Sequence, residues 1–280
     1  MRRRPNLLYI FTDEQAARTL SAYGNDLIDT PNLDGLARES FLFENAYVTQ
    51  PVCTPSRSSL MTGLYPHQNG CMANNVPLSS ATGCFPELGD FTNYRRAYFG
   101  KWHLGDEVFA QHGFDEWISV EDQYRAYYSS GRDPRTQSSY TAHLRSLGYT
   151  PDIRESDGFE YFSRAFSLRL DEKHTKPHFL ADRACEFLRQ NSEDPFLLFV
   201  NFLEPHMPFF GPRDGQYPLP DITLPESFYQ EMDDRVPAYV RHLRELQYHE
   251  GSKNSDLPLQ TEEHWRRLIS NYYGLVSLVD

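Results

Sequence analysis

One cysteine, Cys53, stands in a run of residues that favours a functional thiol. The run is Pro-Val-Cys-Thr-Pro-Ser-Arg-Ser-Ser-Leu-Met-Thr-Gly. Thr54 is a good helix N-cap and Pro55 suits the first helical position, so we expect a helix to begin directly after the cysteine. The positive helix end and the neighbouring Arg57 would lower the pKa of the thiol and attract anions. The run therefore predicts an anion site beside a thiol, and the alternative is a buried structural cysteine.

Two adjacent carboxylates, Asp13 and Glu14, form a second candidate group. They follow the apolar run Asn-Leu-Leu-Tyr-Ile-Phe-Thr, whose length and composition predict a strand. Adjacent acids at a strand end suit a hard divalent cation, Ca²⁺ first and Mg²⁺ next, because such ions take oxygen ligands. The other interpretation is that these acids cap the next helix.

Three basic side chains, Lys101, His103 and His206, complete the candidates. In the sequence Gly-Lys-Trp-His, Lys101 can place a positive charge on an anion and His103 can change protonation near neutral pH. His206 belongs to Glu-Pro-His-Met-Pro-Phe, where the prolines stiffen the loop and so fix the direction of the ring. The alternative is an exposed lysine with histidines that have a structural role only.

Strands and helices alternate along the chain, which predicts a three-layer α/β sandwich with a mainly parallel central sheet. Predicted strands cover 6–12, 41–48, 96–99 and 196–202, and predicted helices cover 30–38, the residues after 53, 87–94, 178–190 and 262–280. The run at 6–12 is apolar throughout, which indicates a strand buried on both faces. The polar segment 123–171 indicates an insertion or lid, and the proline-rich segment 217–260 a surface wrap.

The candidate residues share one position relative to these strands. In parallel sheets, ligands bind beyond the carboxyl ends of the strands. The residues that follow the four predicted strands in turn are Asp13 with Glu14, then Cys53, then Lys101 with His103, and finally His206. Unrelated surface residues would have no reason to share this position. The pattern therefore predicts one site at one edge of the sheet.

The motifs resemble those of the formylglycine-dependent sulfatases, which belong to the alkaline-phosphatase-like superfamily. Cys-Thr-Pro-Ser-Arg at 53–57 matches the sulfatase pattern C-x-P-x-R, and the match continues through Leu-Met-Thr-Gly. Gly-Lys-Trp-His at 100–103 resembles the second sulfatase signature, although the residues before it fit poorly, and Pro-His-Met-Pro-Phe resembles the PHxPF segment. The likeness covers essentially the whole chain, and it implies one alkaline-phosphatase-like α/β domain over 1–280.

The resemblance also implies a reaction, the hydrolysis of a sulfate ester. In sulfatases a formylglycine-generating or sulfatase-maturating enzyme oxidises the cysteine, and the hydrated aldehyde attacks the sulfur beside a divalent cation. The residues then implied as catalytic are Cys53, Arg57, Lys101 and His103, the last as the base that releases sulfate, with His206 near the leaving oxygen. The implied ligands of Ca²⁺, or of Mg²⁺, are Asp13, Glu14 and residue 53, and the family usually has aspartate at position 14.

Bulk properties limit the partners of the chain. Its 280 residues include 27 Lys and Arg against 39 Asp and Glu, a net charge of −12, which argues against nucleic acid as a partner. The four cysteines show neither paired metal spacing nor a disulfide framework. No stretch approaches the length of a membrane span, and the first apolar run is too short for a signal peptide. We expect a cytoplasmic protein without a membrane partner.

Other interpretations of the sequence concern its C-terminal end and its substrate. The last residues resemble a sulfatase helix that normally leads to a further strand, two more metal ligands and a lysine. We therefore expect a truncated sulfatase whose isolated chain is weakly active or inactive, because a partial ligand set binds metal poorly. The alternatives are a phosphonate monoester or phosphodiester hydrolase and a non-catalytic fragment. The composition does not distinguish aryl, choline and sugar sulfates as substrates.

Overall fold

A computed structural model of the chain describes residues 4–190, 194–250 and 259–280, which form two compact units. The first unit comprises the N-terminal residues through Asp13, Asn45–Phe166 and Asp171–Leu203, and the second comprises Glu14–Glu44, Ser167–Leu170 and Glu204–Asp280. The described strands are β1 (Leu7–Phe11), β2 (Arg95–Gly100), β3 (Glu116–Ile118), β4 (Ile153–Arg154), β5 (Glu160–Tyr161) and β6 (Phe196–Asn201). The helices of the first unit are α2 (Cys53–Thr62), α3 (Pro66–Asn69), α4 (Phe85–Leu88), α5 (Ser139–Ser146) and α6 (Lys176–Gln190), and those of the second are α1 (Pro31–Arg38), α7 (Ala238–Glu250) and α8 (Glu262–Val279).

A four-stranded parallel sheet in the order β1-β6-β2-β3 is the centre of the first unit. The middle strand β6 is buried over its whole length, which explains its continuous apolar sequence Phe-Leu-Leu-Phe-Val. Strands β4 and β5 pair with each other in antiparallel orientation and form a separate two-stranded sheet. The predicted α/β class with a mainly parallel sheet is confirmed.

Apolar side chains cover both faces of this sheet. On one face, the ring of Phe187 in α6 contacts Phe99 and Phe196 edge-on, at centroid distances of 5.8 and 5.7 Å. On the other face, Tyr98 and Phe199 belong to a buried cluster that includes residues of α2 and the segment after it. Because successive residues of a strand point to opposite faces, this alternation places helices on both sides of the sheet.

Strand β1 forms where it is predicted, but the expectation that both its faces are buried is wrong. Leu8 and Ile10 are 49% and 58% exposed. Among the described residues, β1 pairs with β6 alone, so it is an edge strand of the sheet. The apolar sequence of the strand could not reveal that, among the described residues, the face with Leu8 and Ile10 stays exposed.

The predicted strand over 41–48 is absent, since these residues form no regular element. The side chains of Phe41 and Tyr47 are 95% and 91% exposed. Their aromatic and β-branched composition favours a strand, but a strand also needs a neighbour for its N–H and C=O groups. The predicted helix over 87–94 is likewise wrong, because α4 covers only Phe85–Leu88.

The two polar segments contain regular structure. Segment 123–171 includes α5, with Tyr140 and Leu144 buried, and the antiparallel pair of β4 and β5. Its interpretation as an insertion or lid stays a prediction. Segment 217–260 includes α7, while residues 251–258 lie outside the described ranges. Within those ranges, every helix is too short or too polar to cross a membrane.

Candidate active site

Cys53 is the first residue of α2, whose N-cap is Val52. The predicted N-cap role of Thr54 is therefore wrong. The backbone N–H of Thr54 donates to Oδ1 of Asn74 at 3.0 Å, and its hydroxyl donates to the carbonyl of His103 at 2.8 Å. Thr54 thus connects the start of α2 to the loop that follows β2.

Three charged side chains converge next to the Cys53 sulfur. Asp13 follows β1 and Lys101 follows β2, as predicted, and the Lys101 Nζ donates to Oδ2 of Asp13 at 2.6 Å. Nη2 of Arg57 lies 3.4 Å from the same carboxylate oxygen. The Cys53 Sγ lies 3.6 Å from Oδ1 of Asp13 and 4.0 Å from Nζ of Lys101. The first unit therefore brings four of the predicted site residues together.

Both cations of this cluster are buried. Lys101 is 0% exposed and Arg57 is 3% exposed. The Arg57 Nη1 donates to the Lys101 carbonyl at 2.7 Å, and its guanidinium lies 5.1 Å from the centre of the Phe11 ring. Buried charges require partners, and two cations beside the single carboxylate of Asp13 leave an excess of positive charge among these three groups. The arrangement is chemically suited to a bound anion, and the anion site itself stays a prediction.

The same cluster does not by itself fit a calcium ion. Ca²⁺ takes about six to eight oxygen ligands. The predicted ligands in the first unit are Asp13, which already pairs with Lys101 and Arg57, and Cys53, whose sulfur is a soft donor. A cation at Asp13 would require further oxygens.

His103 lies in a buried and polar environment. Its Nε2 is 2.8 Å from Oδ1 of Asn75, and its ring lies 4.4 Å from the ring of Tyr124. Burial, and after it the charge of Lys101, lower the pKa of His103 from 6.5 to about 3. With the proton on Nε2 facing the Asn75 oxygen, Nδ1 keeps a lone pair, and this buried atom has no hydrogen-bond partner in the part of the chain that the structure describes. His103 is therefore neutral near pH 7.

Acid should destabilise the fold through His103. The unfolded chain binds a proton below its ordinary pKa of 6.5, whereas the folded ring stays neutral down to about 3. The stability that this difference contributes is complete above pH 6.5 and is lost as the pH falls toward 3. We expect His103 to cost about 2 kcal/mol of unfolding free energy at pH 5 relative to pH 7. Urea unfolding at both pH values should show a smaller acid loss for His103→Gln than for the unchanged chain; equal losses would contradict this assignment.

Glu107 holds the backbone that carries His103. The Oε1 of Glu107 accepts from the N–H of Trp102 at 2.8 Å, and Oε2 accepts from the N–H of His103 at 2.6 Å. His103 has a left-handed backbone, with φ of 59°. Glu107 is 1% exposed, and burial, then the nearby Glu121 carboxylate, raise its pKa to about 7. The carboxylate therefore stabilises a strained turn at the site.

Replacing Glu107 by glutamine should cost about 1–3 kcal/mol of unfolding free energy, because the amide –NH₂ would face a backbone N–H. Glu116→Gln is the matched control, since that carboxylate pairs with Arg95 but its side chain is 41% exposed. The control should stay within about 1 kcal/mol. Urea unfolding compares the two, and equal effects would show that the Glu107 contacts do not stabilise the turn.

The sequence analysis missed Glu107, Asn75 and Tyr124. An acid in Gly-Asp-Glu resembles any solvated loop acid, so the sequence holds no signal for Glu107. Asn75 has a left-handed backbone with φ of 65°, which asparagine tolerates, and the pair Asn-Asn is a signal for such a turn. Tyr124 lies at the start of the segment interpreted as a lid, and its ring contact with His103 shows that this part of the segment reaches the site residues.

The two remaining candidates, Glu14 and His206, belong to the second unit. The His206 Nε2 lies 3.4 Å from Oε1 of Glu14, and its Nδ1 lies 2.6 Å from the Met207 carbonyl. Glu14 has a left-handed backbone with φ of 62°. These contacts fix the orientation of the imidazole of His206. The predicted roles of both residues stay predictions.

The class of fold follows from comparison with solved structures. A phosphonate monoester hydrolase of Agrobacterium radiobacter superposes with a TM-score of 0.69 at 22% sequence identity, covering 99% of this chain and 57% of that one. The protein yidJ of Bacteroides fragilis superposes with a TM-score of 0.58 at 22% identity, covering 98% of this chain and 56% of that one. The first unit thus has the parallel sheet of an alkaline-phosphatase-like fold, as predicted.

The sequence comparisons define the family. The Sulfatase family profile matches residues 5–280. An uncharacterised sulfatase of Escherichia coli K12, YidJ, is 31% identical over 243 residues, which are 84% of this chain and 44% of that protein. An N-acetylglucosamine-6-O-sulfatase of Bacteroides thetaiotaomicron is 27% identical over 272 residues, covering 96% and 43%. The chain belongs to the sulfatase family, as its motifs predict, and it spans about half the length of these relatives.

Proposed function

We propose that this chain contributes the nucleophile-bearing part of a sulfuric ester hydrolase. The observation that carries the proposal is the position of the Cys53 sulfur, 4.0 Å from the Lys101 ammonium and 3.6 Å from the Asp13 carboxylate at the first turn of α2. Membership of the sulfatase family supports it independently. An ester sulfate carries one negative charge, and the excess positive charge of this cluster would offset it.

Each residue of the cluster would have a role set by its contacts. Lys101 and Arg57 are held rigidly by buried partners, so they can stabilise charge on sulfuryl oxygens without reorganising. His103, by the sulfatase resemblance, would be the base that takes up a proton when sulfate is released. His206, by the sulfatase resemblance, would lie near the leaving oxygen.

Two groups implied by the family are part of the proposal. Conversion of Cys53 to formylglycine, by a formylglycine-generating or sulfatase-maturating enzyme, would supply a hydrated aldehyde as nucleophile. A divalent cation, Ca²⁺ or Mg²⁺, would supply a Lewis acid and would take ligands from Asp13, Glu14 and residue 53 together with further oxygens.

We further propose that the substrate is a small-molecule or saccharide sulfate ester. A named relative is an N-acetylglucosamine-6-O-sulfatase, which favours a sugar alcohol as the leaving group. Segment 123–171 would shape the pocket for that alcohol, since Tyr124 contacts the ring of His103. Arg164 in the same segment forms an ion pair with the buried Glu121 at 2.7 Å, which fixes that segment near Tyr124.

Co-expression with a formylglycine-generating enzyme tests the proposal. Mass analysis of the peptide containing Cys53 should show the loss of mass expected when a thiol becomes an aldehyde, and the Cys71 peptide should keep its thiol. Arg57→Ala removes a signature residue and should block the conversion. An untouched Cys53 thiol would argue for a non-catalytic sulfatase relative. We expect the converted chain to be weakly active at most. A preference of this weak turnover for an aryl sulfate over phenyl phosphonate would support sulfate specificity, and the opposite preference would support a phosphonate monoester hydrolase.

A further inference from the structure

We propose that Cys84, Glu87 and His112 bind a zinc ion. Their thiol sulfur, carboxylate oxygen and imidazole nitrogen all lie within 4.8 Å of one another. Zn²⁺ takes this mixture of sulfur, oxygen and nitrogen donors, whereas Ca²⁺ and Mg²⁺ take oxygens. None of these three residues has a role in the proposed sulfatase reaction, so the inference does not depend on it.

The spacing of the donors is close to that of a tetrahedral site. The His112 Nδ1 lies 3.5 Å from Oε2 of Glu87. Zinc bonds of about 2.1 Å to nitrogen and oxygen place two such ligands about 3.4 Å apart in a tetrahedron. The distance between these two atoms is thus already near that of a zinc-bound pair. The Cys84 sulfur lies within 4.8 Å of both, and it would need to approach them by about 1.2 Å at most.

Burial and backbone geometry aim these side chains at one another. Cys84 and His112 are 0% and 8% exposed, while the Glu87 side chain is 37% exposed and leaves a fourth position open to water. His112 has a left-handed backbone with φ of 48°, and Gly113 follows with φ of 81°. A Cβ at Gly113 would lie 2.7 Å from Cγ of Glu87, so only glycine permits this approach. The imidazole also packs against Trp102, with 5.8 Å between ring centres.

A metal-free interpretation accounts for part of this arrangement. Oε2 of Glu87 accepts from the Cys84 N–H at 2.9 Å, which caps α4, and Glu87 can pair with His112. That interpretation also gives the Cys84 side chain a structural role, since it faces the Glu87 N–H in a capping box and packs in the buried apolar cluster. Without a metal, burial and then the Glu87 charge raise the pKa of the Cys84 thiol to about 12. Zinc binding would have to overcome this raised pKa, forming a bond to sulfur and releasing the thiol proton to solvent.

Cobalt titration of the 280-residue chain carrying Cys53→Ser tests the proposal. Cys53→Ser removes the thiol that lies next to the Asp13 carboxylate, so that this thiol cannot bind the cobalt instead. We expect one equivalent of Co²⁺ to produce a sulfur-to-cobalt charge-transfer absorption, which zinc abolishes by displacement. Cys84→Ser should remove the band, and His112→Gln should weaken cobalt binding at least about tenfold. Cys71→Ser is the matched control, because Cys71 is equally buried in the same apolar cluster, and it should bind normally.

Absence of the band, or a band that persists in Cys84→Ser, would overturn the proposal. If Cys84→Ser does not fold, alkylation of the Cys53→Ser chain in partial denaturant replaces it. Zinc should then protect Cys84 at least about tenfold, while the exposed Cys185 reacts equally with and without zinc. Equal labelling of Cys84 in both conditions would also overturn the proposal. None of these readouts requires the aldehyde at residue 53.

Discussion

Asp13→Asn should lower the free energy of unfolding by about 3–5 kcal/mol. The change would leave Lys101, which is 0% exposed, and Arg57, which is 3% exposed, beside a neutral amide. Both cations would keep the cost of desolvation and lose the carboxylate that offsets it. Urea unfolding at pH 7 measures the loss.

A matched control distinguishes the effect of losing a buried ion pair from the effect of losing an exposed one. Asp115→Asn also removes a carboxylate from an arginine pair, with Arg96 at 2.9 Å, but the Asp115 side chain is 56% exposed. It should cost at most about 1 kcal/mol. The double variant Asp13→Asn/Lys101→Met should recover part of the loss, since it removes one of the unpaired cations. A loss for Asp13→Asn no larger than that for Asp115→Asn would show that the cluster is not a buried ion-pair network.

The sequence could predict this cluster because strand ends impose it. Asp13 and Lys101 are 88 residues apart, yet β1 and β2 both pair in parallel with β6 and end at the same edge of the sheet. Apolar runs located those strands, and the polar residue types after them indicated the chemistry. The order and direction of the strands decide which residues lie at a common edge of the sheet. A sequence pattern can therefore indicate this placement without any side-chain detail.

Local contacts could not be predicted in the same way. Thr54 has the chemistry of an N-cap, but its hydroxyl bonds to the His103 carbonyl, a partner that exists only in the folded chain. The role of Glu107 likewise depends on the backbone N–H groups of Trp102 and His103, which both donate to its carboxylate. Residues 41–48 have strand composition without a neighbouring strand among the described residues. In each case the structure depends on whether a distant part of the chain supplies a partner, and the local sequence does not show this.

Gly100→Ala should destabilise the fold strongly at the end of β2. Gly100 has φ of 109°, and a Cβ there would lie 1.9 Å from the carbonyl oxygen of Asn201. That oxygen accepts from the Lys101 N–H at 3.0 Å, so relief of the clash would separate β2 from β6 where Lys101 is positioned. We expect a loss of at least about 3 kcal/mol, with a displaced Lys101 ammonium. Urea unfolding and reactivity of Lys101 toward an amine reagent measure the two effects.

Gly148→Ala separates the clash from the backbone strain. Gly148 has φ of 89°, also left-handed, but an added Cβ would meet nothing within 4 Å. Gly148→Ala should therefore lower the free energy of unfolding by only about 1–2 kcal/mol, the cost of holding alanine in a left-handed backbone conformation. Lys101 should stay unreactive toward the amine reagent. If both variants lose the same stability, the glycine of the Gly-Lys-Trp-His sequence serves only backbone conformation. A larger loss at Gly100 would mean that this glycine lets β2 and β6 approach closely enough to place the lysine against Asp13.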